Sequence, residues 1–431
     1  MKVTPIFHEA KPVFIAPVNE RASHWGVYAI PWMWRTPDGN IYICVNGTPD
    51  NADIGYGASE HDLIFVSKDD GESFERINNK DVTVPAFTGV EPPYYRLSDG
   101  RFLSVRLCPD NAPIVAVEPA KIYPSVNGEF LFHTYRLGDI PTSSRSLEME
   151  EYSPEGELVK RFPLSIDFPS LEIPVFGAAK MTDGNETLVD EYIPMKSHRF
   201  EAYYSIHALC ELKDGTILAC TRGQAQEISD RVYDMVYLVA SEDGGKTFRY
   251  RADITSPTDA PKFGYSYENS LTLAPSGDLL VVMRTEHCAE LAIEPATDAM
   301  FSRSTDNGYT WSTPIALADS CVTPHLITLK NGIIVFVYGR PGIHMKYSTD
   351  SGKTWSDPIT LIGKTLTEHR ERGDDYMDCK FWDMDTYANT FVEVLSEDSF
   401  LICYTDMKYQ TGDGHNHRTT LVRRITFKKE D

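Results

Sequence analysis

One motif occurs four times in this 431-residue chain, and its recurrence limits the fold more than any other feature. Each copy, which we call an Asp box, reads Ser-x-Asp-x-Gly-x-Ser/Thr-aromatic. The Asp side chain accepts hydrogen bonds from turn amides, Gly supplies a positive φ, and the aromatic residue anchors the turn. The motif therefore predicts tight turns between strands at Ser67–Phe74, Ser241–Phe248, Ser304–Trp311 and Ser348–Trp355. The segment YSPEGELV around Ser153 resembles a decayed copy.

A second repeat consists of an apolar strand, a short turn and another apolar strand, which is typical of a β-hairpin. The turns lie at positions 39, 100, 215, 277, 332 and 398, at intervals of 61, 115, 62, 55 and 66 residues. A hairpin with an Asp box at this spacing indicates a four-stranded propeller blade. The long interval holds either an insertion or a further blade, since Asn127-Gly128 is another turn signal.

We therefore expect an all-β fold, one propeller domain over residues 1–431, with six blades and seven as the alternative. The segment at about 163–200 fits no blade and is predicted to be an insertion that forms a lid or a side hairpin.

Charge and composition exclude several classes of partner. The formal net charge of −22 argues against nucleic acid and anionic membranes, which both favour basic surfaces. The N-terminus lacks the apolar core of a signal peptide, so we expect a cytoplasmic location unless a leader has been removed. The eight cysteines are scattered without zinc-like spacing, which predicts buried free thiols. We expect no metal and no nucleotide or redox cofactor. The oligomeric state stays open.

The four Asp boxes, each in register with a hairpin, resemble the sialidase (neuraminidase) superfamily, whose Asp-box or BNR repeats form a six-bladed propeller. The resemblance covers nearly the whole chain. It implies a hydrolase that acts as an exo-glycosidase on an acidic sugar, either sialic-acid-like or uronic.

Residues that open the first strand of each hairpin and close the second strand should lie at one end of the propeller, opposite the boxes. We call this the mouth end. Arginine binds both oxygens of a carboxylate through its planar fork, so arginines here suit an acidic sugar. Each arginine has the alternative role of pairing with a carboxylate in the channel. The predicted substrate-binding residues at this end are Glu91, Arg106, Arg222, Arg284, Arg340 and Asn389.

The segment YENSLTLAPSGDLLVVMR, Tyr267–Arg284, is similar to the sialidase motif in residue types and spacing. The resemblance implies that Arg284 binds the substrate carboxylate and that Glu268 activates a tyrosine nucleophile. Tyr387 is the nearest candidate for that tyrosine, although Asn389 stands at its expected place. The acid/base residue should come from the loop after the first hairpin, which offers Asp50, Asp53 and His61.

Departures from the sialidase pattern keep other functions open. Ala29 stands where the family has its first arginine. A lyase on uronic-acid glycans would use a base such as His207, with His325 also near the channel, since histidine is the usual base near neutral pH. Core packing is the alternative role for each histidine. A carbohydrate-binding propeller without catalysis is the third hypothesis. The acidic run 372–378 is predicted to be a solvated loop rather than a calcium site.

Overall fold

The computed structural model describes most of the chain, including the strands of the repeat. The described residues are 2–19, 22, 26–47, 62–78, 93–107, 121–124, 131–136, 139, 147–167, 172–175, 179–182, 185–188, 206–221, 224–228, 231–259, 265–286, 288–289, 292–293, 298–319, 321–371, 385–386 and 390–430. Apart from one short helix, Leu366–Glu371, their regular structure is β-strand. Among these residues, no helix has the length and apolar character needed to cross a membrane.

Within the described residues, five sheets contain antiparallel strands in the order of a propeller blade, and the largest of them, with eight strands, contains two such sets. We number these sets as blades along the chain. Blade 1 contains Pro31–Arg35, Ile41–Val45, Leu63–Ser67 and Glu75–Ile77. Blade 2 contains Tyr95–Arg96, Phe102–Leu107, Leu147–Tyr152 and Leu158–Asp167. Blade 3 contains Ile206–Glu211, Ile217–Thr221, Tyr237–Ser241 and Thr247–Asp253.

Blade 4 contains Tyr265–Leu273, Leu279–Glu286, Ala299–Ser304 and Ile315–Ala318. Blade 5 contains Val322–Thr328, Ile334–Gly339, Ile343–Ser348 and Ile359–Ile362. Blade 6 combines the two ends of the chain, because both N-terminal strands pair with its last strand. Its strands are Phe391–Val394, Ser399–Gln410, Asn416–Lys429, Val3–Phe7 and Lys11–Ile15.

Neighbouring blades pack face to face, and the last blade packs on the first. Apolar side chains form one core between blades 3 and 4, another between blades 4 and 5, and further cores between blades 5 and 6 and between blades 6 and 1. Ser165–Asp167 of blade 2 pairs in parallel with Thr247–Arg249 of blade 3. The turn at Gly156 lies against Pro37 of blade 1. The all-β, sialidase-type propeller predicted from the repeats is confirmed.

A side sheet is built from segments that connect the second and third strands of blade 2, blade 2 to blade 3, and the second and third strands of blade 3. Its strands are Lys121–Pro124, Leu131–Arg136, Glu172–Val175, Gln224–Ile228 and Arg231–Met235. The Asn127-Gly128 turn signal therefore lies between two strands of this side sheet and not in one of the six blades. The predicted insertion also contains a hairpin, Ala179–Thr182 with Asn185–Leu188, while Leu158–Asp167 carries blade 2 into its first residues. Another short hairpin joins Cys288–Ala289 to Ala292–Ile293.

All four Asp boxes form the predicted turns between the third and fourth strands, with one hydrogen-bond pattern. The box Ser hydroxyl donates to the Asp carboxylate over 2.7–2.8 Å and accepts the box Gly N–H over 2.8–2.9 Å. The Ser/Thr N–H that follows the Gly by two residues donates to the same carboxylate over 2.9 Å. Ser153 occupies the equivalent place in blade 2, where its hydroxyl accepts the N–H groups of Glu155 and Glu157.

Each box glycine also contacts the preceding blade. A Cβ built on Gly71 would lie 2.7 Å from Leu401 of blade 6, and one on Gly308 would lie 2.3 Å from Leu238 of blade 3. The box is thus a joint between blades as well as a turn. The described cysteines Cys44, Cys210, Cys220, Cys321 and Cys403 are buried free thiols, as expected.

Candidate functional site

The mouth ends of three inner strands contain register shifts. The shifts lie between Ile206 and Ala208 in blade 3, between Ser266 and Asn269 in blade 4, and between Val322 and His325 in blade 5. Such β-bulges leave residues out of the strand ladder and redirect their side chains. Glu268 and Thr323 both lie within these shifts, so their polar groups are available for contacts between blades.

Glu268 and Arg284 form the central pair of the candidate site. Arg284 Nη1 lies 3.0 Å from Glu268 Oε2, and each side chain is 13% exposed. The same oxygen accepts the Thr323 N–H of blade 5 over 2.9 Å. Charge-assisted hydrogen bonds of this kind are stronger than neutral ones. The structure therefore brings together two residues 16 positions apart in the sequence and fixes them across the boundary of blades 4 and 5.

The floor beneath this pair is apolar. Cys321 is fully buried, and burial raises the pKa of its thiol well above the usual value, with the nearby Glu268 carboxylate adding to the effect. Tyr338 is 1% exposed and stacks on Phe336 with ring centroids 4.7 Å apart. Burial raises the pKa of Tyr338 above that of a free phenol. Both groups therefore stay neutral near pH 7.

Arg340 lies at the mouth end of blade 5, directly after the strand Ile334–Gly339. Its backbone has a positive φ of 57°, and the next peptide bond, to Pro341, is cis. The turn is held by His344, whose Nε2 lies 2.9 Å from the Pro341 carbonyl and whose Nδ1 lies 3.0 Å from the Thr360 hydroxyl. Gly339 pairs with Val322 in an antiparallel ladder, so Arg340 lies one residue beyond this rung toward the mouth and Thr323 lies one residue on its other side.

Arg106 takes the alternative role of pairing with a carboxylate. Its guanidinium binds Glu150, a carboxylate that is 0% exposed and that also accepts Arg161 Nε over 2.7 Å. Tyr152 donates its hydroxyl to Glu150 over 2.6 Å. A buried carboxylate requires such partners because an unpaired buried charge is costly. Arg106 is therefore held within blade 2 and does not reach the Glu268–Arg284 pair through any contact seen here.

His325 likewise takes its alternative role, as a core residue. It is 5% exposed, and its Nε2 lies 2.5 Å from the Thr390 carbonyl of blade 6. Its ring packs on Phe391 with centroids 5.6 Å apart. This contact joins blades 5 and 6. His207 lies in the first strand of blade 3, Ile206–Glu211, and the position of its side chain is outside the described part.

Six of the predicted site residues lie outside the described residues, so their roles stay predictions. They are Asp50, Asp53, Glu91, Arg222, Tyr387 and Asn389. Ala29, which stands at the place of the family's first arginine, is fully buried beside Ile30 and Met407. An arginine triad for a carboxylate cannot be completed from that position.

Sequence reasoning missed two carboxylates at the mouth end. Asp62 follows the loop that carries Asp50 and Asp53, is 6% exposed, and accepts the Gly47 N–H over 2.7 Å. Asp406 directly follows Thr405 in blade 6, and burial raises its pKa, with Asp385 adding to the effect. Asp62 directly follows His61 of the loop after the first hairpin, and Asp406 directly follows the last hairpin. Extending each hairpin segment by one residue would therefore have included both.

An open cleft of about 490 Å³ lies beside the site, between blades 4 and 5. The Thr285 hydroxyl, next to Arg284, donates to the Asp298 carbonyl over 2.8 Å at its edge. Lys346 Nζ donates to the Leu317 carbonyl over 2.8 Å, and Asp319 accepts the Thr367 N–H over 2.9 Å. The cleft is lined by Asp298, Ala316, Leu317, Ala318, Asp319, Tyr338, Lys346, Pro358, Thr365 and Thr367.

Part of this chain matches a known protein family, and its fold resembles solved structures. Residues 194–371, which span blades 3 to 5, match the family described as BNR repeat-like domain. No curated protein matches the chain. A protein of unknown function from Dyadobacter fermentans is similar in structure at a TM-score of 0.55 and 16% identity, over 98% of this chain and 99% of that chain. This likeness, at low identity, concerns the fold.

Two other solved structures are more distant. A mutant of the NanB sialidase from Streptococcus pneumoniae is 12% identical over 97% of this chain and 70% of its own, with a TM-score of 0.45. An α-L-arabinofuranosidase from Fusarium graminearum is 18% identical over 51% of this chain and 61% of its own, with a TM-score of 0.35.

Proposed function

We propose that this chain, whose residues 194–371 match the family described as BNR repeat-like domain, is a glycosidase that removes a terminal acidic sugar bound at the mouth end of the propeller. The observation that carries the proposal is the ion pair between Glu268 and Arg284, held by the Thr323 N–H at the boundary of two blades. Both side chains are partly exposed, so a ligand at the mouth can reach them.

Arg284 is the proposed ligand of the substrate carboxylate. Its guanidinium has five N–H donors, and the bond from Nη1 to Glu268 orients the group from one side. A carboxylated sugar would gain a planar, charge-assisted contact that a neutral sugar lacks. The substrate class is therefore a sialic-acid-like or uronic glycoside. The neighbouring cleft offers space for the rest of the glycan.

Glu268 is the proposed base. Glycoside hydrolysis needs one group that protonates the leaving oxygen and another that supplies or activates the nucleophile. Glu268 would accept the proton of an attacking tyrosine hydroxyl, for which Tyr387 is the candidate, and Asp50 or Asp53 would donate a proton to the leaving oxygen. Water then hydrolyses the glycosyl intermediate: the Asp residue takes a proton from the attacking water, and Glu268 returns its proton to the released tyrosine oxygen.

A binding function without turnover is the second candidate, and the buried Ala29 favours it. With Ala29 in place of the family's first arginine, the chain can still bind a substrate carboxylate through Arg284. It would stabilise the transition state less than a site with all three arginines of the family. A lyase would need a base beside the sugar ring. The burial of His325 removes one of the two histidine candidates for that base and leaves His207.

The test is turnover of fluorogenic glycosides of sialic and uronic acids, with the matching neutral sugars in parallel. We expect Arg284→Gln and Glu268→Gln to lower kcat/KM on the acidic glycoside by about 10²–10³-fold. The control is Arg303→Gln in the same blade, which breaks the pair with Asp278 at the box end and leaves the mouth intact.

Each outcome separates the candidates. Turnover that is unchanged in Arg284→Gln and Glu268→Gln would contradict this placement of the site, and a native protein that cleaves no acidic glycoside would contradict the glycosidase proposal. Calorimetric binding of the acidic sugar without turnover, lost in Arg284→Gln, would identify a binding protein. A product that absorbs in the ultraviolet, from a new carbon–carbon double bond, would identify a lyase.

A further inference from the structure

Thr323 has a backbone conformation that its residue type disfavours. Its φ is +45°, in the left-handed region that β-branched residues rarely adopt. It also precedes Pro324, and residues before proline favour extended conformations. Such conformations are unfavourable and persist only where the surroundings impose them. The register shift between Val322 and His325 takes Thr323 out of the strand ladder.

The N–H freed by this conformation donates to Glu268 Oε2 over 2.9 Å. It is the uppermost of a set of polar contacts that the described residues make between the inner strands of blades 4 and 5. Below it, the Leu326 N–H donates to the Ser270 hydroxyl over 2.9 Å, and the hydroxyls of Thr272 and Thr328 lie 2.9 Å apart. The two lower contacts lie within regular pairing, whereas the uppermost one ends on a charged side chain at the mouth.

We infer that Thr323 is a positioning residue, whose strained backbone aims its N–H at Glu268 and fixes that carboxylate beside Arg284. Two donors meet on one oxygen, Oε2, and one of them belongs to a rigid main chain. A side-chain donor could rotate away, whereas a main-chain N–H in a strand cannot. The catalytic part of this inference rests on the proposed function, but the orientation of Glu268 does not.

The experiment separates the N–H from the strain. Replacing Thr323 by its α-hydroxy acid makes an ester that lacks only this N–H, and Thr323→Gly keeps the N–H while accepting a positive φ without cost. We expect the ester to move the ¹³C NMR titration midpoint of the Glu268 carboxyl upward by about one pH unit, because the N–H favours the charged form. Thr323→Gly should leave the midpoint in place and raise the melting temperature.

Ser270→Ala is the control, because it breaks the next contact of the same set without touching Glu268. It should lower the melting temperature and leave the midpoint unchanged. With an active substrate, the acid limb of the pH–rate profile should move with the midpoint in the ester protein alone. An unchanged midpoint in the ester protein overturns the inference. If no acidic sugar is cleaved, the titration still decides the role of Thr323.

Discussion

At the box ends of blades 1, 3, 4 and 5, the same three hydrogen bonds recur with lengths that differ by at most 0.1 Å. The mouth ends of blades 4, 5 and 6 differ from one another. Blade 4 presents the pair of Glu268 and Arg284, blade 5 a left-handed Thr323, and blade 6 a half-buried Asp406.

The pKa values of carboxylates at the two ends also shift in opposite directions, for different reasons. The hydroxyl and N–H of Ser73 lower the pKa of Asp69 in the first box to about 2. At the mouth, burial raises the pKa of Asp406. Hydrogen bonds to the charged form stabilise the fold, whereas unfavourable burial of a charge does not. The box end is thus built for stability, and the mouth end carries groups that cost stability.

The largest expected effect is a difference in unfolding free energy between two glycine substitutions in blade 4, one in the Asp box and one in the hairpin turn. Gly308→Ala in the box should destabilise the protein by about 2–4 kcal/mol, because a positive φ of 88° is combined with a 2.3 Å approach to Leu238 of blade 3. Gly277→Ala at the hairpin turn has a φ of 92° and no atom within 4 Å of the new Cβ, so about 1 kcal/mol is expected. Urea unfolding of both variants measures the difference.

Equal destabilisation by the two variants would show that the box glycine serves its turn alone. In that case the box end would not be a joint between blades.

A smaller effect tests the box carboxylate of blade 5. Burial would raise the pKa of Asp350, but the N–H and hydroxyl of Thr354 and the hydroxyl of Ser348 lower it to about 2. Because the folded pKa lies below the unfolded value of 3.8, the stabilisation is present above about pH 4 and is lost as the pH falls through 2. Asp350→Asn should therefore cost about 1 kcal/mol at pH 7, after allowance for solvent screening, and less at pH 3.

Unfolding free energies at pH 7, 4 and 3 measure this effect. Asp357→Asn is the control, since Asp357 is an exposed carboxylate of the same blade outside the box. A loss for Asp350→Asn that is constant over this pH range would mean that the hydrogen bonds do not depend on the charge.

The sequence predicts the box end better than the mouth end, for a physical reason. The box turns depend on local contacts within eight residues, so Ser67–Phe74 and its three copies carry their structure in the motif itself. The pairing of Glu268 with Arg284 was accessible because both belong to one hairpin. The Thr323 N–H that fixes them comes from another blade, 55 residues away, through a backbone conformation that no composition rule assigns to threonine.

The contacts of Arg106 and His325 show the same limit of prediction from sequence. The alignment of hairpins places both near the mouth, but their partners are the Glu150 side chain of another strand and the Thr390 carbonyl of another blade, and these contacts depend on how the strands and blades pack. Blade closure by the N-terminal strand Val3–Phe7 was also beyond local patterns, because it joins the two ends of the chain.

The smallest expected effect has the opposite sign and concerns Asp406. Burial raises its pKa above the unfolded value of 3.8, and the nearby Asp385 raises it further, while the Lys408 N–H opposes both. The stability that Asp406 contributes is therefore complete below about pH 4 and is lost as the pH rises through the folded pKa. Asp406→Asn keeps an oxygen for the Lys408 N–H, which donates over 2.8 Å, and removes the buried charge. We expect a gain of less than about 1 kcal/mol at pH 7 that disappears at pH 4.

The measurement is unfolding in urea at the two pH values, with Asp398→Asn at the hairpin turn of the same blade as the control. A variant that is less stable than the native protein at pH 7 would contradict the sign and would remove Asp406 from the contrast between the ends. A gain in stability would mean that the native carboxylate of Asp406 destabilises the fold at pH 7. Retention at such a cost is expected where a group serves a ligand rather than the fold, because stabilising substitutions at functional positions are removed by loss of activity.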